Sequence, residues 1–257
     1  MPNLTRARAE QAPPRPVPPA PHQRNEGQDQ GQPPPGPQTN NNKTYKKRAN
    51  INIATLNING ATAPSRNMNL IEKWSMINRT IRTSKIAILA LQETHLDEER
   101  ASDIHRCFRK SFDLHFSGNT ENPRATAGVA FIINKALITP ENISVRTLIP
   151  GRAVVLTIAW SAVKKITILN IYAPVDRRDQ PEFWERIERR RIRARIPRPD
   201  FVLGDFNITE DPLDRSPPHP DDQAATDALR EIKHKWEIQD YWRHTHPNER
   251  HFTYRAP

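Results

Sequence analysis

The sequence predicts a mixed α/β fold in which two β-sheets pack together with helices outside. Three observations predict it. Seven short apolar runs have strand character, four longer stretches have helical periodicity, and no internal repeat joins them into a solenoid.

In chain order the strands are expected at 51–57, 86–92, 112–117, 127–134, 153–160, 165–171 and 200–205. "FDLHFS" at 112–117 alternates with period two, as a half-buried strand does, whereas "IAILAL" and "GVAFII" are continuously apolar, as strands covered on both faces are. Helices are expected at 67–83, with Leu70, Trp74, Ile77 and Ile81 on one face; at 97–108, starting at Asp97; at 180–195; and at 222–237, with Leu229, Ile232 and Trp236 inward.

Residues 1–49 are set apart by composition. The first 50 residues hold eleven prolines and the runs "APPRPVPPAP" and "GQPPPGPQTNNN", and such a segment buries too little apolar surface to offset chain entropy. The expectation is a disordered, Pro-rich basic tail over 1–49 and a folded domain over 50–257. The formal charge is +10, of which the tail, with eight Lys/Arg against three acids, supplies half. A basic balance favours a polyanionic partner. The single cysteine, Cys107, excludes an internal disulfide, no apolar run reaches the ~18–20 residues of a membrane helix, and the N-terminus has no apolar signal core. These features predict an intracellular protein, nuclear or cytoplasmic. "KTYKKR" at 43–48 is a candidate nuclear import signal or a solvated charge run.

Four of the strands end on polar groups: the first on Asn57 and Asn59 in "TLNING", the second on Glu93 in "LQETH", the sixth on Tyr172 in "NIYAP", the last on Asp205 and Asn207 in "GDFN". Singly, each has a structural explanation, as a turn amide, a helix-starting Glu, a Tyr bonded to backbone or an Asx turn. Jointly they describe a rim of carboxylates, amides and a phenol at one end of a sheet, oxygen donors of the kind a hard cation such as Mg2+ takes.

The motifs "TLNING", "LQETH", "AGVAFII", "LNIYAPVD" and "VLGDFN", in that order, resemble the endonuclease/exonuclease/phosphatase (DNase I-like) superfamily over about 50–257. The segments "PGRAVVLTIAW", "PEFWERI", "DPLDRSPPHPDD" and "IQDYWRHTHPNERHFTYR" are similar to the endonuclease domain of fungal non-LTR (LINE-type) retrotransposons. The resemblance implies a four-layer α/β/β/α sandwich and phosphodiester hydrolysis with Mg2+ or Mn2+, the substrate being DNA. It implies that Glu93 binds the metal, that Asp205 orients or activates the attacking water, that Asn207 and Tyr172 donate hydrogen bonds to the developing phosphorane, and that Asn57 holds the geometry. Asn59 stands where family members have Asp and is not assigned as a ligand.

The family also carries, on its last strands, an Asp and an Asp-His pair. The sequence reaches "HFTYRAP" without them; "SDIH" at 102–105 falls on a predicted helix, and His244, His246 and His251 lack the matching neighbours. The expectation is a fold lacking its final strands and an incomplete site, which leaves two readings: a metal-dependent DNA endonuclease of retrotransposon origin, or a catalytically dead, nucleic-acid-binding relic without the general-base histidine. Seven arginines between 186 and 198 are either contacts to a DNA backbone or a solvated helix face, Asp214 and Arg215 are a candidate local ion pair, and Trp242 with Arg243 a packing pair.

Overall fold

In the computed structural model, the described residues are 51–60, 69–139, 143–160, 164–250 and 252. The expected tail over 1–49, the charge run at 43–48 and His251 lie outside them.

The first sheet holds β1 (Asn52–Asn57), β2 (Ile86–Gln92), β3 (Phe112–Ser117) and β4 (Val129–Asn134), in the spatial order β1-β2-β4-β3. The second holds β5 (Ile143–Ile149), β6 (Ala153–Ala159), β7 (Lys165–Tyr172) and β8 (Phe201–Asp205), in sequence order. Each sheet has one parallel pair, β1 with β2 and β7 with β8, and is otherwise antiparallel.

Three apolar layers hold the two sheets and their helices. Between the sheets lie Ile88, Ala90, Val129, Phe131 and Ile133 from one and Val154, Leu156, Ile158 and Ile168 from the other. Helices α1 (Leu70–Thr83) and α2 (Glu98–Phe108) cover the outer face of the first sheet with Trp74, Ile77, Ile81 and Ile104 against Leu89, Leu91 and Ile132. Helices α3 (Gln180–Arg193) and α4 (Gln223–Trp236) cover the second with Phe183, Trp184, Leu229 and Trp236 against Val155, Leu169 and Ile171. The order helix, sheet, sheet, helix makes the four layers that two-sided apolar strands demand.

Where the boundaries differ from expectation, side chains decide. Helix α1 begins at Leu70 rather than 67 because Asn69 forms a capping box with Glu72, each side chain accepting the other's backbone N–H. Asp97 and Asp222 cap α2 and α4 from just outside the helix. Strand β5 was not expected: Arg146 and Thr147 interrupt its apolar pattern because it is the outer strand of its sheet, with half its side chains in solvent. A short helix, α5 (Tyr241–Thr245), was also not expected. Among the described residues no helix is long and apolar enough to cross a membrane.

A buried ion pair within α3 is tied to α4 by an indole hydrogen bond. Glu188 of α3 accepts two hydrogen bonds from Arg191, at 2.7 and 2.9 Å, and one from the Trp236 indole of α4 at 2.9 Å. The Arg191 guanidinium, with the indole N–H adding to it, holds the Glu188 carboxyl below the usual glutamate range. A depressed carboxyl stabilises the fold fully above its unfolded pKa, and that stability is lost as pH falls through the folded value. Glu188→Gln is therefore expected to cost about 2 kcal/mol at neutral pH by leaving Arg191 half-paired, and to flatten the acid limb of the stability curve. Urea unfolding across pH checks both; an unchanged acid limb would show that the pair is not linked to folding.

Candidate active site

Parallel pairing explains why the polar strand ends meet. In β1 and β2, Asn57 pairs with Gln92, so Glu93 leaves the sheet beside Asn57. In β7 and β8, Tyr172 pairs with Asp205. Parallel strands finish at the same end, and because the sheets are stacked with β1 beside β8, all four ends share one rim.

Asn57 joins the two halves. Its Nδ2 donates to Glu93 Oε1 at 2.8 Å and to Asp205 Oδ2 at 2.9 Å, while its Oδ1 accepts the Asn59 backbone N–H at 3.0 Å. The Tyr172 hydroxyl is hydrogen-bonded to Glu93, and Arg152 lies over the Tyr172 ring, 5.1 Å from its centroid. The structure thus brings Asn57, Glu93, Tyr172 and Asp205 together. Asn207 joins through its backbone N–H, which donates to Asp205 Oδ1 at 3.1 Å, while its side-chain amide donates to the Ala173 carbonyl at 2.9 Å. Asn59 is exposed and contributes only backbone.

The backbone is bent to make this rim. Glu93 and Asn207 have φ of +50° and +53°, conformations that cost non-glycine residues free energy and persist only where surrounding contacts hold them. Glu93 is held by the Gly60 N–H, which donates to its carbonyl at 2.6 Å, and the loop after β1 is held by Lys73 Nζ on the Ile58 and Gly60 carbonyls. In "LGDFN" the glycine is obligatory: a Cβ on Gly204, φ +136°, would stand 2.0 Å from the Ile171 carbonyl oxygen.

Burial and the neighbouring Glu93 carboxylate push the Tyr172 hydroxyl up to about 12. The phenol therefore remains a hydrogen-bond donor throughout the neutral range. A raised acid stabilises the fold fully below its unfolded pKa and stops doing so as pH rises through the folded value, here between about 10 and 12. In metal-free buffer, the phenolate absorbance of wild type is expected to include one late transition near pH 12 that Tyr172→Phe removes; an unchanged titration would show that Tyr172 is not held protonated by its neighbours.

Beneath the rim lies a polar bridge that the strand-end pattern misses. Asn170 on β7 is fully buried; its Nδ2 donates to the Leu91 and Ala130 carbonyls at 3.0 and 2.9 Å, and its Oδ1 accepts from Gln92 Nε2 at 2.7 Å. Gln92 also donates to Thr55 Oγ1 on β1 at 3.0 Å. Three strands of one sheet are thereby tied to a strand of the other, one residue before Glu93 and two before Tyr172.

The remaining candidates are placed elsewhere. His105 of "SDIH" is exposed on α2, and His246 stacks on Trp242 with its Nδ1 against the Trp242 carbonyl. The local ion pair expected of Asp214 and Arg215 does not form: Asp214 pairs with Arg243, and Arg215 with Asp221, a carboxylate that also accepts the Thr209 N–H. Arg243 does lie over the Trp242 ring, and it also donates to the His246 and Glu249 carbonyls, so it fixes a loop rather than only packing.

The donor set fits a hard divalent cation. Glu93 and Asp205 share one amide, neither makes an ion pair with Lys or Arg among the described residues, and their uncompensated charge is what a largely hydrated Mg2+ or Mn2+ neutralises through one or two carboxylates. No group of three or more His, Cys, Asp or Glu that could hold a metal forms among the described residues.

Comparison with known proteins places this geometry in context. The chain is 27% identical over 207 residues to the uncharacterized 149 kDa protein of transposon TX1 from Xenopus laevis, a match covering 79% of this chain and 14% of that protein's length. In fold it is similar to an AP endonuclease from Archaeoglobus fulgidus, with TM-score 0.59, 23% identity and coverage of 80% of this chain and 78% of that one. It is similar also to an AP endonuclease from Leishmania major, with TM-score 0.59, 15% identity and coverage of 77% and 70%. The model of the Endonuclease/Exonuclease/phosphatase family matches residues 54–256, nearly the whole of the described fold and its entire polar rim, and the chain belongs to that family.

Proposed function

We propose that this chain is a divalent-metal-dependent DNA endonuclease domain of retrotransposon origin. The observation that carries the reading is the Asn57 amide hydrogen-bonded at once to Glu93 and Asp205. It sets two carboxylates from different sheets at a distance one amide can span, without a neutralising side chain. The likeness to the transposon TX1 protein supports the retroelement origin, and the AP endonuclease folds support a nucleic-acid substrate.

Each residue has a task that its contacts suit. Asp205 accepts the proton of the attacking water; its carboxylate is aimed by the Asn57 side chain and the Asn207 backbone. Asn207 keeps one amide hydrogen on the Ala173 carbonyl and offers the other to a nonbridging phosphate oxygen. Tyr172, protonated across the neutral range, donates to charge that develops on the phosphorane. Glu93 is the protein ligand for Mg2+ or Mn2+, which when bound neutralises a nonbridging oxygen and the leaving oxyanion.

The test is conversion of supercoiled plasmid to open circle by the purified chain in Mg2+, in Mn2+ and in EDTA. The expected result is nicking in either metal and none in EDTA. A folded protein that binds the plasmid but leaves it intact in both metals would refute hydrolysis and establish a nucleic-acid-binding module.

A further inference from the structure

Helix α3 carries an arginine stripe that the site does not use. Its later carboxylates are consumed locally: Glu185 pairs with Arg189 and buried Glu188 with Arg191. Arg186, Arg190 and Arg193, spaced four and three residues apart, share one face and are exposed. Where α3 lies beside β5, Arg146 extends the stripe across the sheet edge.

Two of these cations are held in place without being neutralised. Arg190 Nη1 donates to the Leu148 carbonyl at 2.7 Å, and Arg146 Nη1 to the Ala194 carbonyl at 2.8 Å. None of the four makes an ion pair with a carboxylate among the described residues. A guanidinium fixed on a carbonyl keeps its full charge and most of its five donors, and loses less side-chain entropy when it meets an anion.

The stripe also points away from the rim along a definite line. Gln180, the first residue of α3, donates from its buried side chain to the Pro174 and Phe206 carbonyls at 2.8 and 2.9 Å, in the loops that leave Tyr172 and Asp205. At ~1.5 Å per residue, Arg186, Arg190 and Arg193 lie about 9, 15 and 20 Å along the helix from there. About 20 Å is the axial length of roughly six base pairs of duplex DNA at ~3.4 Å each.

We propose that the α3 and β5 arginines bind the phosphate backbone of duplex DNA flanking the scissile phosphate. The inference rests on the endonuclease reading for its choice of duplex DNA, but binding can be measured without hydrolysis. Duplex DNA is the partner that fits because the helix cations follow one face from about 9 to about 20 Å beyond Gln180, within reach of a duplex seated on the rim, and present fork-shaped donors rather than base-reading amides.

The experiment is fluorescence anisotropy with a labelled duplex in EDTA, as a function of salt, on the whole chain and on Arg186→Gln/Arg193→Gln, which removes two cations that hold no part of the fold. The variant is expected to bind roughly ten-fold or more weakly near ~0.1 M salt, with the slope of log K against log salt reduced by about two. Arg189→Gln, whose charge is already paired, is the control and changes binding less. Equal affinity and slope for wild type and double variant would overturn the proposal, as would a loss seen with single-stranded RNA but not with duplex. A wild type that binds and never nicks would refute the hydrolytic reading, and the binding comparison would still decide the surface.

Discussion

Replacing Asp205 with alanine is expected to slow plasmid nicking by about 10² to 10⁴-fold, the usual worth of a positioned proton acceptor. Asp205→Asn is the sharper variant, since it keeps the shape and the hydrogen bond from the Asn207 N–H while removing the basicity and the acceptor that the Asn57 amide uses. Retention of more than a tenth of the rate by Asp205→Asn would exclude Asp205 as the acceptor. Glu93→Gln is expected to be similarly impaired, and its loss of binding to Mn2+ in calorimetry separates a ligand from a base. Neither change is expected to lower the melting temperature in EDTA. Glu93 and Asp205 face each other across one amide and neither makes an ion pair with Lys or Arg among the described residues, so removing one charge relieves repulsion. A stability gain with an activity loss is the usual mark of a site selected for chemistry rather than for folding.

The second large effect lies in the interior. Asn170→Ala removes an amide that satisfies two backbone carbonyls and one side-chain donor in a fully buried position. Two backbone carbonyls that lose a donor, at about 1–3 kcal/mol each, and a Gln92 amide left with Thr55 as its one acceptor predict a loss of about 3 kcal/mol, after allowance for relaxation and for entry of water. Asn170→Asp is expected to be worse at neutral pH, because it turns a carboxylate toward the Leu91 and Ala130 carbonyls. Denaturant midpoints on the three proteins measure this. A cost below about 1 kcal/mol for Asn170→Ala would show that solvent reaches the bridge.

Glu93 and Asp205 were legible in the sequence because each ends an apolar run, and a polar residue at that place is conspicuous. Asn170 and Gln92 were not, although each is the lone amide in its run, "ITILNIY" and "IAILALQ". Their meaning depends on which strand of the opposite sheet stands across from them, and local pattern carries no information on stacking. The same limit applies to Asp214 and Arg243, which are neighbours only because two loops meet. Strand β5 escaped for a different reason: an outer strand that buries half its surface lacks the continuous apolar run by which inner strands announce themselves.

Among the described residues, β1 and β8 are the outer strands on the side of the sandwich where the sheets meet at the rim, whereas β2 and β7 are flanked on both sides. Glu93 and Tyr172 therefore stand on the inner pair, and Asn57 and Asp205 on the outer pair. Leu56 and Phe201, at 47% exposed each, show how little covers those outer strands. Amide exchange in such a sheet follows a hierarchy, with strands bonded on one side opening at lower free energy than the body of the fold. The centre is thus divided between a slow half and a fast half. β1 and β8 are therefore expected to open sub-globally while the core between the sheets stays closed, so that on the proposed reading nicking is expected to fail on warming before the cooperative melt.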